Sequence, residues 1–194
     1  MEGCENGTIV GTALAEEIGG SGKIVIVAGT LTSGAVRSRV DGVEDVLADN
    51  YPDIEILTLR DAGFAAEDAR NTMQDLIQRY GDEIDGAVFT QNVSSVAAAD
   101  VIEASLGAGA IPIASMGGQR TFLQYIGEGE LFATTPEAPF DTAAKALELT
   151  VDCINGDTEP HYVRTQELDS VKVLADDNFV ITEDNLDLFT PQWD

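Results

Sequence analysis

The sequence predicts an α/β domain with a doubly wound, open parallel sheet and helices on both faces. Short apolar runs rich in Val and Ile alternate along the chain with amphipathic stretches, and Gly, Asp or Pro bounds each run. The runs are apolar at nearly every position, as strands buried on both faces are. Five such strands separated by helices imply right-handed crossovers and therefore a parallel sheet.

The elements follow one another in a regular order. A helix containing GTALAEEI comes first, and Gly19 and Gly20 read as its C-terminal cap. The predicted strands are KIVIVAG, IEILTL, GAVFT, AIPIAS and LFATT. The helices predicted between them have apolar residues three and four apart; they are SGAVRSRVDGVEDVLADN, AAEDARNTMQDLIQRYG, SSVAAADVIEASLGAG and QRTFLQYIGEG.

The glycine-rich stretch GGSGK does not form a phosphate-binding loop. Such a loop follows a strand and opens a helix, whereas Gly22 and Lys23 precede the first strand. In open α/β sheets ligands bind at the carboxyl ends of the strands. We therefore expect the site near Ala28 to Ser33 and at the equivalent ends of the other strands.

The last third of the chain differs from the rest. PFDTAAKALELTVDCIN predicts one more helix, capped near Asp141 and stopped at Gly156, followed by an irregular, acidic, strand-containing tail. We therefore divide the chain into a lobe, residues 1–140, and a helix with its tail, residues 141–194. The tail packs on this lobe or on another one.

Acidic residues dominate the charge balance. The chain has 35 Asp and Glu against 10 Lys and Arg, a net charge of −25, and the acids are spread along its length. Such a surface repels nucleic acids and anionic membranes, so we expect no nucleic-acid partner. The pattern is typical of surfaces adapted to high salt, although an ordinary acidic protein is the alternative.

Few residues offer catalytic or metal-binding chemistry. The two cysteines, Cys4 and Cys153, match no metal-ligand spacing, and His161 is the single histidine. We therefore expect no catalytic residue, metal or cofactor, and no enzymatic activity. The first residues, MEGCENGTIV, lack the pattern of a secretory signal.

Several motifs resemble one protein family in their order and spacing. The most specific are R-x-R-x-x-G at Arg37 to Gly42 and DGAVFTQN at Asp85 to Asn92. Together with CENGTIVGTALAEEIGGSGKIVIVAG and GEGELFATT, they resemble the C-terminal lobe of periplasmic sugar-binding proteins of the ribose-binding type. The resemblance covers about Glu5 to Asn155.

This resemblance implies a function. Its members are extracytoplasmic solute receptors of ABC importers, with two lobes that close on a sugar, and the importer permease is their partner. The chain would supply one lobe and lack the N-terminal one. An effector-binding domain of a LacI-like transcription regulator has the same fold and is the alternative.

The resemblance also implies site residues. Arg39 matches an arginine that donates to sugar hydroxyls, Phe64 an aromatic residue that stacks on a sugar, and Asn92 an amide that both donates and accepts. Glu137 lies where the family often has glutamine, near a hinge crossing. Gly117 departs from the family pattern, which has an aspartate at this position.

Each of these residues also has a purely structural interpretation. Arg39 could form a surface ion pair, because Arg37 and Asp41 lie nearby on the same predicted helix. Phe64 could pack on its own helix, and Asn92 could serve as a helix N-cap.

The helix from Asp141 to Asn155 would lack its usual neighbour if a lobe is missing. Its apolar residues available for burial are Ala144, Leu147, Leu149, Val151 and Ile154. Because contiguous exposed apolar surface tends to find a partner, we expect self-association through this helix.

The charge predicts salt-dependent stability. Between about 0.1 and 2 M KCl the Debye length falls from about 10 Å to a few Å, which screens the self-repulsion of the acidic surface. We therefore expect the melting temperature to rise markedly over this range. Sulfate at matched ionic strength is the control, because excluded salts also strengthen burial. A flat melting temperature in KCl would contradict adaptation to salt.

Overall fold

A five-stranded parallel sheet forms the centre of the computed structural model, which describes residues 3–161 and 163–194. The strands are β1 (Gly22–Ala28), β2 (Ile54–Asp61), β3 (Gly86–Phe89), β4 (Ile113–Gly117) and β5 (Ala133–Pro136). Their order is β2-β1-β3-β4-β5, and every neighbouring pair is parallel. The fold class and all five predicted strands are confirmed.

Helices connect the strands and extend beyond them. They are α1 (Gly3–Glu17), α2 (Gly34–Asn50), α3 (Ala66–Tyr80), α4 (Asn92–Leu106), α5 (Arg120–Gly127), α6 (Pro139–Asn155) and the single-turn α7 (Asp169–Lys172). Short 3₁₀ segments occupy Gly81–Glu83, Thr165–Glu167, Ala175–Asp177 and Glu183–Leu188. None of the helices within 3–161 and 163–194 has the length and apolar character needed to cross a membrane.

Alternating residues of each strand bury opposite faces of the sheet. In β1, Ile24, Ile26 and Ala28 face the core formed with α1 and α2. Val25 and Val27 face a second core, formed with α3, α4 and α5. Both faces of the strand are therefore apolar, which explains the continuous run IVIVA in the sequence.

The strand order sets the position of a ligand crevice. β1 leads through α2 to β2 on one side, and β3 lies on the other side of β1. The direction of chain winding reverses between β1 and β3, so their carboxyl ends form the switch point at which ligands bind in this topology.

Glycines let α1 and α2 pack with their backbones in close contact. A Cβ at Gly7 would clash with the carbonyl oxygen of Arg39, and one at Gly42 would clash with that of Cys4. The contact therefore depends on the absence of side chains at both positions, one on each helix. It also fixes the turn of α2 that carries Arg39.

Helix α6 follows the prediction except at its start. It begins at Pro139 with Ala138 as N-cap, so Asp141 lies in the first turn and the predicted cap there is wrong. Pro139 explains the earlier start, because proline is favoured at the first helical position. The predicted stop is confirmed, since Gly156 follows the helix with φ +80°.

The acidic tail contains no strand in its described part, contrary to the prediction. Residues 163–194 form helical turns and one isolated antiparallel bridge, from Ile181 to Thr134. Val171 and Leu174 are three residues apart and both buried, which is helical spacing. Tyr162, which belongs to the predicted tail, lies outside the described residues.

The tail and α6 differ in burial. Val171, Leu174, Ile181 and Phe189 are buried in the core that contains α3, α4 and α5, so this part of the tail packs on the lobe. By contrast, no residue of α6 is buried, and four of its apolar side chains are exposed: Phe140, Leu147, Val151 and Ile154.

Carboxylates crowd together beside α4 and α5. Burial, with the nearby charges of Glu103, Glu128 and Asp100, raises the pKa of Glu130. A hydrogen bond of 2.9 Å to Asp100 is the main cause that raises the pKa of Tyr125 to about 12. Because the folded state favours protonated Glu130, the stability from this group is present at low pH and is lost as the pH rises through its raised pKa. At neutral pH this crowding is a local source of the self-repulsion that salt screens.

We predict that Gly7→Ala destabilises the protein although alanine is the better helix former. The new Cβ meets backbone, which cannot move aside as a flexible side chain can, so the free energy of unfolding should fall by about 2–3 kcal/mol and Tm by about 4–12 °C. Thermal unfolding by circular dichroism measures the change.

Gly34→Ala is the matched control for this prediction. Gly34 begins α2, and a Cβ built there has no neighbour within 4 Å. Its replacement should leave Tm unchanged or slightly raised. Equal melting temperatures for the two variants would contradict the close packing of α1 on α2.

Candidate functional site

The residues that follow β1, β3, β4 and β5 form one connected cluster, which we call the carboxyl edge. Its members are Gly29, Thr90, Asn92, Gln119 and Glu137, with Gly117 at the end of β4. Gly29, at the end of β1, donates its N–H to Thr90 Oγ1 over 2.9 Å. Thr90, after β3, is fully buried. This bond joins the two strand ends that flank the switch point.

Arg39 connects α2 to two strand ends. Its Nη1 donates to the Thr90 carbonyl oxygen over 2.6 Å, and its Nη2 donates to Glu137 Oε1 over 2.6 Å. The Arg39 and Glu137 side chains are 22% and 30% exposed. The guanidinium fork is therefore fixed by two acceptors while part of the pair still reaches solvent.

Arg37 is placed quite differently. Its guanidinium pairs with Asp41 and Glu44 of the same helix, each over 2.7 Å. Arg37 therefore forms the ordinary ion pairs of a helix surface. Arg39 instead extends its guanidinium to the carboxyl edge.

Asn92 is a buried residue that links the end of β3 to β5 and to the segment after β4. It is the first residue of α4 and only 2% exposed. Its Nδ2 donates to Thr134 Oγ1, and its Oδ1 accepts from the Gln119 backbone N–H, each over 3.1 Å. The N-cap interpretation is wrong, because Gln91 occupies that position and Asn92 makes no capping bond to its own helix.

Gly117 occupies a position that excludes a side chain. Its φ is +149°, and a Cβ would clash with Asn92 Oδ1. Its carbonyl oxygen accepts from the Glu137 N–H over 3.1 Å and from Trp193 Nε1 over 3.3 Å. The aspartate of the family pattern therefore has no room in this chain, which accounts for the departure seen in the sequence.

Phe64 lies at the opposite side of the cluster from Gly117. A Cβ at Gly29 would lie 2.7 Å from Phe64 Cε1, so the ring rests close to the backbone that follows β1. The side chain is 56% exposed. Gln91 Nε2 donates to the Gly63 carbonyl oxygen over 3.2 Å and ties the Phe64 loop to the end of β3.

The structure thus brings all five predicted site residues to the carboxyl edge. Arg39 and Glu137 are in direct contact, Gly117 touches both Glu137 and Asn92, and Phe64 is linked through its loop. Contact of any of them with a ligand stays a prediction.

Three further residues of the edge escaped the sequence analysis. Thr90 and Gln119 follow strands closely, so their position was a usable signal. Trp193 had none, because the chain reaches the edge there through an irregular segment far from any predicted strand.

A cavity of about 480 Å³ adjoins the Arg39–Glu137 pair between α1, α2 and α6. Asn6 lines it, and its buried Oδ1 has no hydrogen-bond partner. A larger cavity of about 660 Å³ lies between α1 and residues 177–184, and one of about 500 Å³ lies between α6 and residues 160–161 and 163–168. Neither of these two is lined by residues of the carboxyl edge.

Within the described residues, no group of three or more His, Cys, Asp or Glu is placed to hold a metal.

Comparisons with known proteins define the class to which this fold and site belong. The chain matches the family described as "Periplasmic binding protein domain" over residues 4–158, and it belongs to that family. The family predicted from the motifs is confirmed.

A curated relative and several solved structures are similar to the chain. A xylitol-binding protein of Mycolicibacterium smegmatis is 27% identical over 90% of this chain, which spans 46% of that protein. An ABC transporter periplasmic solute-binding protein of Actinobacillus succinogenes, with bound D-allose, has a TM-score of 0.83 at 21% identity, over 97% of this chain and 63% of that one. A sugar ABC transporter (sugar-binding protein) of Bacillus halodurans has a TM-score of 0.81 at 20% identity, over 98% and 65%. The chain therefore spans about half to two thirds of the length of these proteins.

We predict that Gly117→Ala destabilises the carboxyl edge. The substitution combines backbone strain with displacement of the Asn92 amide, so the free energy of unfolding should fall by about 3 kcal/mol. Chemical denaturation measures it.

Gly107→Ala separates these two causes. Gly107 also has a backbone conformation that favours glycine, φ 107° and ψ 157°, but a Cβ there has no neighbour within 4 Å. This variant should lose only the strain, about 1–2 kcal/mol. Equal losses for the two variants would show that Asn92 does not occupy the space beside Gly117.

Proposed function

We propose that this lobe forms one wall of a cleft that binds a small, uncharged, polyhydroxylated solute such as a sugar. The observation that carries the proposal is the Arg39–Glu137 pair, whose arginine also bonds to Thr90 at the switch point of the sheet, on the same carboxyl edge as the exposed Phe64. A sugar hydroxyl both donates and accepts, so it can bond to the guanidinium and the carboxylate at once.

The charges at the carboxyl edge support an uncharged solute. Arg39 is paired with Glu137, and Arg120 is paired with Asp194 over 2.9 Å. A bound anion would have to compete with these carboxylates, and the net charge of −25 would repel it at long range.

Phe64 supports a solute that also has an apolar face. A side chain of this size that is 56% exposed at a strand end offers its ring to whatever binds there. The named relatives agree with a polyhydroxylated solute, since one is a xylitol-binding protein and another holds D-allose.

We propose that a second lobe supplies the other wall. Closure of two lobes around a ligand is a common hinge motion, and the chain spans 46% of the xylitol-binding protein. The exposed apolar side chains of α6 would then be covered by that lobe or by a second copy of the chain. The division at residue 140 is part of this proposal.

We propose that the complete receptor works outside the cytoplasm and delivers its solute to an ABC importer permease. The family and the solute-binding and ABC-transporter proteins named above support this role over that of a transcription regulator. They also support a binding protein without enzymatic activity.

Substitution of the two arginines tests the proposed site. Arg39→Ala should weaken binding of D-allose or D-xylose about tenfold, because it leaves Glu137 and the Thr90 carbonyl without their donor. Arg37→Ala should leave binding unchanged, because its partners lie on the helix surface. Low-affinity calorimetric titration measures both; since one lobe supplies only part of a pocket, we expect a Kd on the order of millimolar for this chain.

Melting temperatures of both variants provide the control for folding. Arg39→Lys keeps the charge but loses the planar fork, so it should bind nearly as weakly as Arg39→Ala. Equal weakening by Arg37→Ala, or no heat with any neutral sugar up to about 100 mM, would overturn the proposal.

A further inference from the structure

Residues 189–194 return from the tail to the carboxyl edge and are fixed there at both sides. The Trp193 carbonyl oxygen accepts from the Arg120 N–H over 3.1 Å, and Asp194 Oδ1 accepts from Arg120 Nε over 2.9 Å. On the other side, Gln192 makes two hydrogen bonds with Asp141 of α6, of 3.1 and 2.7 Å.

This arrangement places Trp193 beside the end of β4. Its Nε1 donates to the Gly117 carbonyl oxygen over 3.3 Å, the same oxygen that accepts from the Glu137 N–H. The side chain is nevertheless 37% exposed. Because its one polar group is already bonded to the protein, the exposed part of the indole can contact a ligand only through its apolar surface.

Two partly exposed aromatic residues therefore flank the same edge. Phe64 lies against the end of β1 and Trp193 against the end of β4, with β3 between them. Two strand spacings of about 4.8 Å separate these strand ends by about 10 Å. The two side chains therefore flank the strand ends at which a ligand binds in this topology.

We propose that Trp193 is a solute-contact residue that favours cyclic sugars over acyclic polyols. The inference rests on the proposed function and names the solute class of the same site. A pyranose ring presents a rigid face of C–H groups that can lie on an indole. An acyclic polyol of the same carbon number has no such face and loses more internal rotation when it binds.

The sequence makes this proposal directly measurable, because Trp193 is the single tryptophan. Its fluorescence and its one indole N–H resonance in a ¹H–¹⁵N spectrum report on this side chain alone. The probes are D-xylose, its ring-locked form methyl β-D-xylopyranoside, and xylitol, which all have five sugar carbons. We expect the cyclic probes to shift the emission and the indole resonance, and to bind about three- to tenfold more tightly than xylitol.

Two variants and one control assign the preference to the indole. Trp193→Leu should abolish the preference for the cyclic probes, as measured by calorimetry, whereas Trp193→Phe should keep most of it. Phe140→Leu removes another exposed aromatic ring, one on α6, and should change nothing. Melting temperatures establish that all three variants fold.

The outcomes separate this inference from the proposed function. If Arg39→Ala weakens sugar binding but Trp193→Leu does not, and the indole resonance stays in place, the contact role of Trp193 is wrong and the proposed function stands. Equal or tighter binding of xylitol by the unaltered chain overturns the preference for rings. If none of the three probes and no other neutral sugar binds up to about 100 mM, both proposals fail.

Discussion

The bond from the Arg39 guanidinium to the Thr90 carbonyl and the Glu137 carboxylate is the interaction on which the arrangement of the carboxyl edge depends. It joins α2, on one face of the sheet, to the ends of β3 and β5. Each acceptor fixes one arm of a planar fork, so the guanidinium is held in one orientation. The protein's own groups thereby position the guanidinium.

That orientation depends in turn on the packing of α1 against α2. Gly7 of α1 touches the Arg39 carbonyl, so the backbone contact between α1 and α2 sets the height and rotation of the turn that carries Arg39. At the other side of the edge, Asn92 fills the space beside Gly117 and bonds to both Thr134 and Gln119. The positions of Arg39 and Asn92 therefore both depend on a neighbouring glycine that has no side chain, Gly7 for the first and Gly117 for the second.

Most of the fold could be predicted from the sequence, because the helices and strands follow from the local periodicity of apolar residues. Runs such as KIVIVAG, buried on both faces, allowed only a parallel sheet with helices on each side. Helix ends were less predictable: Pro139 starts α6 before Asp141. The prediction of a strand in the tail was wrong, because the composition of this stretch also suits strands. In the structure Val171 and Leu174 are instead buried on one helical turn.

Predictability of the site differed from residue to residue. The family resemblance indicated all five candidates, and the expected ligand position at the carboxyl ends of the strands agreed with it for Asn92 and Gly117. The pairing of Arg39 with Glu137 could not be predicted, because it joins residues 98 apart in the chain. Trp193 could not be predicted either, since only the path of residues 189–194 in three dimensions brings it to Gly117.

Mapping of backbone amide shifts during titration with D-allose tests the central claim most directly. Because each amide reports on its own surroundings, the map locates the solute without altering the protein. The account predicts that the shifts concentrate at Gly29, Thr90, Gly118 and Glu137, and that the amides around Thr8 and Thr182 stay in place. Shifts concentrated instead around the 660 Å³ cavity between α1 and residues 177–184 would contradict it.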